Sequence, residues 1–301
     1  MNDNFEKIGF IGLGSMGKHM AKNLLLNSFP LVVYDKDKSM LNEFEKLGAE
    51  SVENPCHITE KVNLIFLCLP FTPQIEDVIF GEQGLIKGKY DNLMIVDTST
   101  IYCDDAINFK KKLNEKKIVY CDCPVSGLPK KAKDGTLTMM FGGTDKEFFS
   151  VLPFLKTMGE SIIHCGSVGN GQITKAFNNI LYNINIAGLC EVLPLALKAG
   201  LNVNVLKDLF ISGSSRSFAS EYFLPKILKN DFNNDYDMKD AYKDIINVEK
   251  AIKDFEIHTP MTTAMKNVYN KTLEMNLEER PKSAMVKYFE KEFKIRVTKN
   301  E

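Results

Sequence analysis

The stretch Lys7-Ile8-Gly9-Phe10-Ile11-Gly12-Leu13-Gly14-Ser15-Met16-Gly17 decides how the rest of the chain is read. Residues 7–11 read as a strand with the continuous apolar character of burial on both faces. The next six residues spell G-x-G-x-x-G, and residues 16–27 follow with helical periodicity. A second strand, 31–35, then ends in Asp35. In that setting each glycine has a job: Gly12 allows the tight turn, Gly14 lets backbone N–H groups approach a pyrophosphate, and Gly17 packs helix against strand. Leu13, Ser15 and Met16 complete the cradle, and the helix N-terminus adds its partial positive charge. Asp35 is placed to bond the adenosine ribose 2′-hydroxyl and to repel a 2′-phosphate, so NAD is expected ahead of NADP. Lys36 and Lys38 soften that repulsion and leave NADP open as a cofactor. The lysine and Ser/Thr of a P-loop are missing, which argues against ATP or GTP.

Working outward, further strand-like runs occur at 63–69, 93–97, 118–125, 137–142 and 162–165, alternating with helical stretches. That alternation predicts an α/β Rossmann-type domain with a doubly wound parallel sheet over residues 1–166. After Gly171 the strands stop. Residues 173–198 form one long apolar helical stretch in which Pro194 predicts a kink, and 203–211, 218–229, 238–254 and 259–274 also read as helices. An all-helical second domain, 167–301, joined to the first by the long helix, is the expected architecture, with 298–301 as a frayed tail. At 301 residues the chain has the size at which one core divides into two.

The composition, 44% hydrophobic and 26% charged with a formal net charge of -1, disfavours disorder and a polyanion-binding role. The opening residues carry no signal-peptide pattern, and no unbroken run approaches the eighteen or so apolar residues of a spanning helix. The seven cysteines are scattered; Cys121 and Cys123 share a strand face but have no second pair to complete a zinc site. The four histidines do not cluster. These features predict a metal-free, reduced, intracellular protein, cytoplasmic or in an organelle matrix, that binds neither nucleic acid nor membrane.

The second chemical signal lies in residues 169–179. Lys175 and Asn179 are four apart and share a helix face, with Asn183 one turn further. Around them Ile173, Phe177, Ile180, Leu181, Ile184, Ile186 and Leu189 predict a helix buried most of the way round. Buried polar side chains need partners, which a cleft between domains would provide. A lysine there suits acid/base work if burial lowers its pKa. Tyr222 and Lys226 also spell Y-x-x-x-K, the pair of short-chain dehydrogenases, but Pro225 and the glycine spacing argue that it is coincidence. Arg216, Arg280 and Arg296 are the only arginines, which speaks against a phosphorylated substrate.

Together these motifs resemble the β-hydroxyacid dehydrogenase family, and in particular its 3-hydroxyisobutyrate dehydrogenases. The resemblance runs through residues 10–24, Leu69-Pro70, Asp97-Thr98-Ser99-Thr100, Asp122-Cys123-Pro124-Val125-Ser126-Gly127, Gly135-Thr136-Leu137, residues 169–179 and Lys239-Asp240. It implies a small carboxylate substrate oxidised at its β-hydroxyl, hydride transfer to NAD, and no metal. It further implies Lys175 as catalytic acid or base, Asn179 as the residue holding substrate, and Ser126 and Gly127 as the carboxylate-binding loop, with Thr100 at both substrate and cofactor. Leu69, Pro70 and Thr100 would line the cofactor, and Lys239 would lie near it. Family members are commonly homodimers or homotetramers. Three departures stand out: Leu128 replaces a second glycine, Gln74 stands where asparagine is usual, and residues 275–283 replace a turn with glycine and aspartate. Leu128 resists φ > 0 and adds bulk, which bears on substrate identity. Arg216 lies in a Gly-Arg-Ser-like stretch and would reach a carboxylate, close a domain interface or sit on the surface. Tartronate or succinic semialdehyde reduction, and a non-catalytic NAD-binding scaffold, stand as alternatives.

Overall fold

The structure, a computed structural model, describes residues 6–233, 237–253 and 255–298. Residues 254 and 299–301, where the sequence predicts a helix end and a frayed tail, and the side chain of Asp240 lie outside that description. The chain divides into two compact units, the first ending at Lys175 and the second beginning at Ala176.

In the first unit six strands pair in parallel: β1 (Ile8–Ile11), β2 (Leu31–Tyr34), β3 (Glu50–Ser51), β4 (Leu64–Leu67), β5 (Met94–Asp97) and β6 (Val119–Asp122). Their spatial order is β3-β2-β1-β4-β5-β6. The order reverses at β1, so a crevice opens beyond the carboxyl ends of β1 and β4, where doubly wound sheets bind ligands. The two faces of the sheet separate by strict alternation. Ile8, Phe10, Leu64, Phe66 and Val96 enter one core, while Ile11, Ile65, Leu67, Ile95 and Tyr120 enter the other. Each such side chain contributes about 1.5–3 kcal/mol by leaving water, and burial on both faces is why these strands look continuously apolar in sequence.

Reading 118–125 as one strand needs correction. Strand β6 ends at Asp122, and β7 (Val125–Ser126) pairs antiparallel with β8 (Leu137–Phe141), itself parallel to β9 (Gly159–His164), in a separate sheet. Pro124 has no N–H to continue a ladder and restricts the residue before it. The Cys123 N–H instead bonds the Asp97 carbonyl at 2.7 Å, turning the chain back over the end of β5.

From Asn170 the described elements are helical: Asn170–Lys198, Val203–Ser212, Phe218–Leu228, Met238–Ile252, Pro260–Leu273 and Met285–Phe293. The last has no counterpart in the sequence reading. Ile186, Cys190, Leu193, Phe223, Leu224, Ile245, Tyr269 and Met285 form the core of the second unit. The expectation of a long helix buried most of the way round is corrected: Ile180, Ile186 and Leu189 are buried, but Phe177 and Leu181 are 47% and 63% exposed. The helix continues through Pro194. It is long and apolar enough, by length and composition, to cross a membrane, with 44% of its most apolar window buried inside the protein. The sequence hides this because asparagines interrupt the run while leaving its average apolar.

Candidate active site

The glycine turn follows β1, and its three glycines serve different neighbours. Gly12 has φ +96°, and a Cβ there would stand 2.2 Å from the Cys68 carbonyl oxygen. A Cβ on Gly17 would stand 1.9 Å from the Gly12 oxygen. Gly14 is the opposite case, with nothing within 4 Å of its Cβ direction. The chain itself therefore requires Gly12 and Gly17, whereas the open space over Gly14 suits a ligand. The N–H groups of Gly14, Ser15 and Met16 have no acceptor among the described residues. They stand at the start of the helix Gly17–Leu26, whose first turn carries no acidic side chain. Unpartnered amides, open space and helix polarity together fit a dinucleotide pyrophosphate. Asp35 closes the turn: its Oδ2 accepts from the Leu13 N–H at 2.6 Å and its Oδ1 from the Asp37 N–H at 2.8 Å. A pocket lined by Tyr34, Asn54, Pro55, Asp77 and Val78 opens beside the end of β2.

The loops after β4, β5 and β6 are bonded to one another. The Leu69 N–H donates to Ser99 Oγ at 2.9 Å, and the Ser99 N–H donates to Asp97 Oδ1 at 2.9 Å. Tyr120 Oη donates to Asp97 Oδ2 at 2.9 Å. Gln172 Nε2 donates to the Ser99 carbonyl at 2.9 Å, while its Oε1 accepts from the Ile101 N–H at 3.1 Å, so one amide side chain brackets Thr100. Asp122 Oδ1 accepts from the Gly169 N–H at 2.7 Å and Oδ2 from the Gln172 N–H at 2.9 Å. Burial pushes the Asp122 carboxyl up to about 7 against the pull of those two amides, and it raises Asp97 too. Asp97, Ser99, Asp122 and Gln172 fall within the motifs that carry the family resemblance, but their residue types alone point to no role there. An acidic residue ending each of two apolar strands was the available signal.

Ser126 lies in β7 opposite Thr138. Gly127 has φ +143°, and a Cβ there would meet Leu137 Cδ2 at 2.7 Å. The concern that Leu128 must adopt positive φ is corrected: it sits at φ −85°, ψ 171°, extended as a residue before proline prefers, and caps the helix Pro129–Asp134. Gly127 alone takes the unusual backbone. Leu128 keeps its bulk, half-buried, beside that turn.

Lys175 is the last residue of the first unit, three places after Gln172, and is half-buried. Asn179, in the second unit, donates from Nδ2 to Asp244 Oδ2 at 2.8 Å, and its Oδ1 accepts from Asn178 Nδ2 at 3.1 Å. Further along the same helix Asn183 is fully buried, and its Oδ1 accepts from Lys282 Nζ at 2.6 Å. Lys239, near the start of Met238–Ile252, is exposed and pairs with Glu279 at 3.0 Å. Arg216 is exposed and pairs with Glu221. The helix Phe218–Leu228 persists through Pro225 and brings Lys226 Nζ to Tyr222 Oη at 2.9 Å, so the proline does not prevent that geometry. The pair lies in the helical unit, away from the glycine turn in the chain.

Comparison with known proteins agrees with this architecture. Residues 7–166 match the NAD binding domain of 6-phosphogluconate dehydrogenase, and residues 169–289 match the NAD-binding domain of NADP-dependent 3-hydroxyisobutyrate dehydrogenase. The chain is 34% identical to the 2-(hydroxymethyl)glutarate dehydrogenase of Eubacterium barkeri, over 94% of this chain and 95% of that one. It is 34% identical to the mitochondrial 3-hydroxyisobutyrate dehydrogenase of Mus musculus, over 72% of this chain and 65% of that one. Among solved structures, 3-hydroxyisobutyrate dehydrogenase from Salmonella typhimurium shares the fold, with TM-score 0.84, 22% identity and coverage of 94% and 99%. Glycine turn, switch-point crevice and helical second unit thus occur together in a chain that belongs to the β-hydroxyacid dehydrogenase family, NAD(P)-dependent oxidoreductases acting on the CH–OH group of hydroxyacids.

Proposed function

We propose that the protein interconverts small 2-substituted 3-hydroxypropanoates and their semialdehydes, with NAD as the preferred cofactor and 3-hydroxyisobutyrate first among substrates. The observation that carries this reading is Lys175 on a helix whose first turn is bonded, through Gln172, to the two residues flanking Thr100. The substrates named for the relatives share one chemical unit: a carboxylate and a CH₂OH arm on the same carbon. The match to the glutarate enzyme along nearly its whole length favours a second reading, in which that carbon carries a longer, acidic substituent.

When bound, NAD supplies the nicotinamide carbon that takes the hydride. Lys175, as the neutral amine, accepts the hydroxyl proton as hydride leaves the same carbon, so alcohol becomes aldehyde with release of NADH and a proton. In reduction its ammonium returns that proton to the forming alkoxide. Ser126 and the Gly127 N–H hold the substrate carboxylate, and a turn of backbone donors suits an anion. Asn179 orients the substrate, its amide steadied at both ends by Asp244 and Asn178. Leu69, Pro70, Thr100 and Lys239 serve the cofactor, and Asp35 bonds the ribose hydroxyl.

The test is a panel of β-hydroxyacids followed by NADH absorbance, with both cofactors, on the wild type and Asp35→Ala. The expected result is turnover with 3-hydroxyisobutyrate, a preference for NAD, and at least a tenfold loss of that preference in the variant. Tight nucleotide binding with no turnover on any acid would overturn the enzymatic reading in favour of a scaffold, and an unaltered preference would overturn the ribose contact.

We also infer self-association through the helical unit. Leu181, Leu195, Val205 and Leu209, all in the helical unit, are 63%, 49%, 61% and 53% exposed, and large exposed apolar side chains are what self-association covers. Sedimentation equilibrium should return a dimer or tetramer mass, with Leu181→Glu shifting it downward; a wild-type monomer at micromolar concentration contradicts this. An intracellular, reducing location is supported by seven free cysteines and by relatives named as mitochondrial.

A further inference from the structure

Asp122 is fully buried at the end of β6, yet both of its oxygens are committed to a segment far along the chain. They accept the Gly169 and Gln172 amides, which belong to the entry and first turn of the helix Asn170–Lys198. The first four amides of a helix have no partner within it, so a carboxylate spanning two of them fixes where the helix begins. The approach is tight: a Cβ on Gly171 would stand 2.6 Å from Asp122 Oδ2 and 2.4 Å from the Met140 oxygen. Gln172, 1% exposed, then locks the same turn sideways through its bonds to Ser99 and Ile101. Ser99 in turn holds the Leu69 amide. An unbroken series of hydrogen bonds therefore runs Leu69–Ser99–Gln172–Asp122, and Lys175 follows Gln172 by less than one helical turn.

We infer that Asp122 and Gln172 are positioning residues, which set the azimuth and height of Lys175 against the Thr100 loop by clasping the first turn of its helix. This rests on the reading of Lys175 as the acid/base group. Proton transfer needs hydrogen-bond reach, and a misplacement of about 1 Å can cost about 10²-fold in rate. Neither residue has to touch substrate or cofactor for its loss to be felt. Asp122→Asn replaces one acceptor oxygen with a donor that faces an N–H, so one of the two amides loses its bond. Gln172→Met keeps length and apolar packing but loses both bonds to the Ser99–Ile101 loop.

The test is a double-mutant cycle with amide hydrogen exchange on the full chain. Asp122→Asn and Gln172→Met should each lower kcat about 10- to 100-fold, leave the Kd for NAD within about twofold, and speed exchange at Gly169 to Lys175. In a Lys175→Ala background neither should lower the residual rate further, because the group they position is gone. A further tenfold loss in that background would show a role independent of Lys175 and overturn the inference, as would full kcat in both single variants. If Asp122→Asn does not fold, Gln172→Met decides alone. If Lys175→Ala itself retains full turnover, the acid/base reading fails, while faster exchange in Gln172→Met would still report the clasp.

Discussion

Lys175→Ala is expected to lower kcat by about 10²- to 10⁴-fold, the range a single positioned acid/base supplies. The Kd for NAD should stay within about twofold, because none of the pyrophosphate amides or Asp35 is altered. Small primary amines added to the variant should restore part of the rate, and the restoration should rise with pH as free amine forms. A general effect on folding would not respond to added amine. An unchanged kcat removes Lys175 from the chemistry and leaves Asn179 and the Ser126–Gly127 loop to account for turnover.

The second large effect concerns two glycines three residues apart that look interchangeable in sequence. Gly17→Ala must displace the Gly12 carbonyl, which would lie 1.9 Å from the new methyl. It should cost about 2–4 kcal/mol of stability, lower Tm by about 5–10 °C and abolish measurable NAD binding. Gly14→Ala meets nothing within 4 Å, so its Tm should move by no more than about 2 °C. Its methyl nevertheless enters the space assigned to the pyrophosphate, and NAD affinity should fall at least about tenfold. Calorimetry and nucleotide titration separate the two cases. If Gly14→Ala binds NAD as tightly as the wild type, the cofactor does not cross that space.

The first unit was largely legible because its strands are buried on both faces, so Ile8–Ile11, Leu31–Tyr34, Leu64–Leu67 and Met94–Asp97 stand out as short apolar runs. The glycine turn was legible because backbone geometry leaves few alternatives to glycine at Gly12 and Gly17. Strand β3 was not seen, since two residues carry no periodicity. The break at Pro124 was missed because the apolar run continues across it; only the hydrogen-bonding consequence of proline divides β6 from β7. Periodicity finds what is apolar, and the clasp of Asp122 and Gln172 joins residues 50 positions apart through polar atoms. Leu128 is the converse case, where the backbone half of the concern over a missing glycine goes once Pro129 holds its predecessor extended, while the added bulk remains.

Lys175 and Asn179 ride on one uninterrupted rod, although a border between compact units falls between them. Their relative phase is therefore dictated by helix geometry at about 100° per residue, not by any loop. A substitution that leaves the helix intact keeps that spacing whatever else it does, but a single insertion or deletion between the two would turn one away from the other by about 100°.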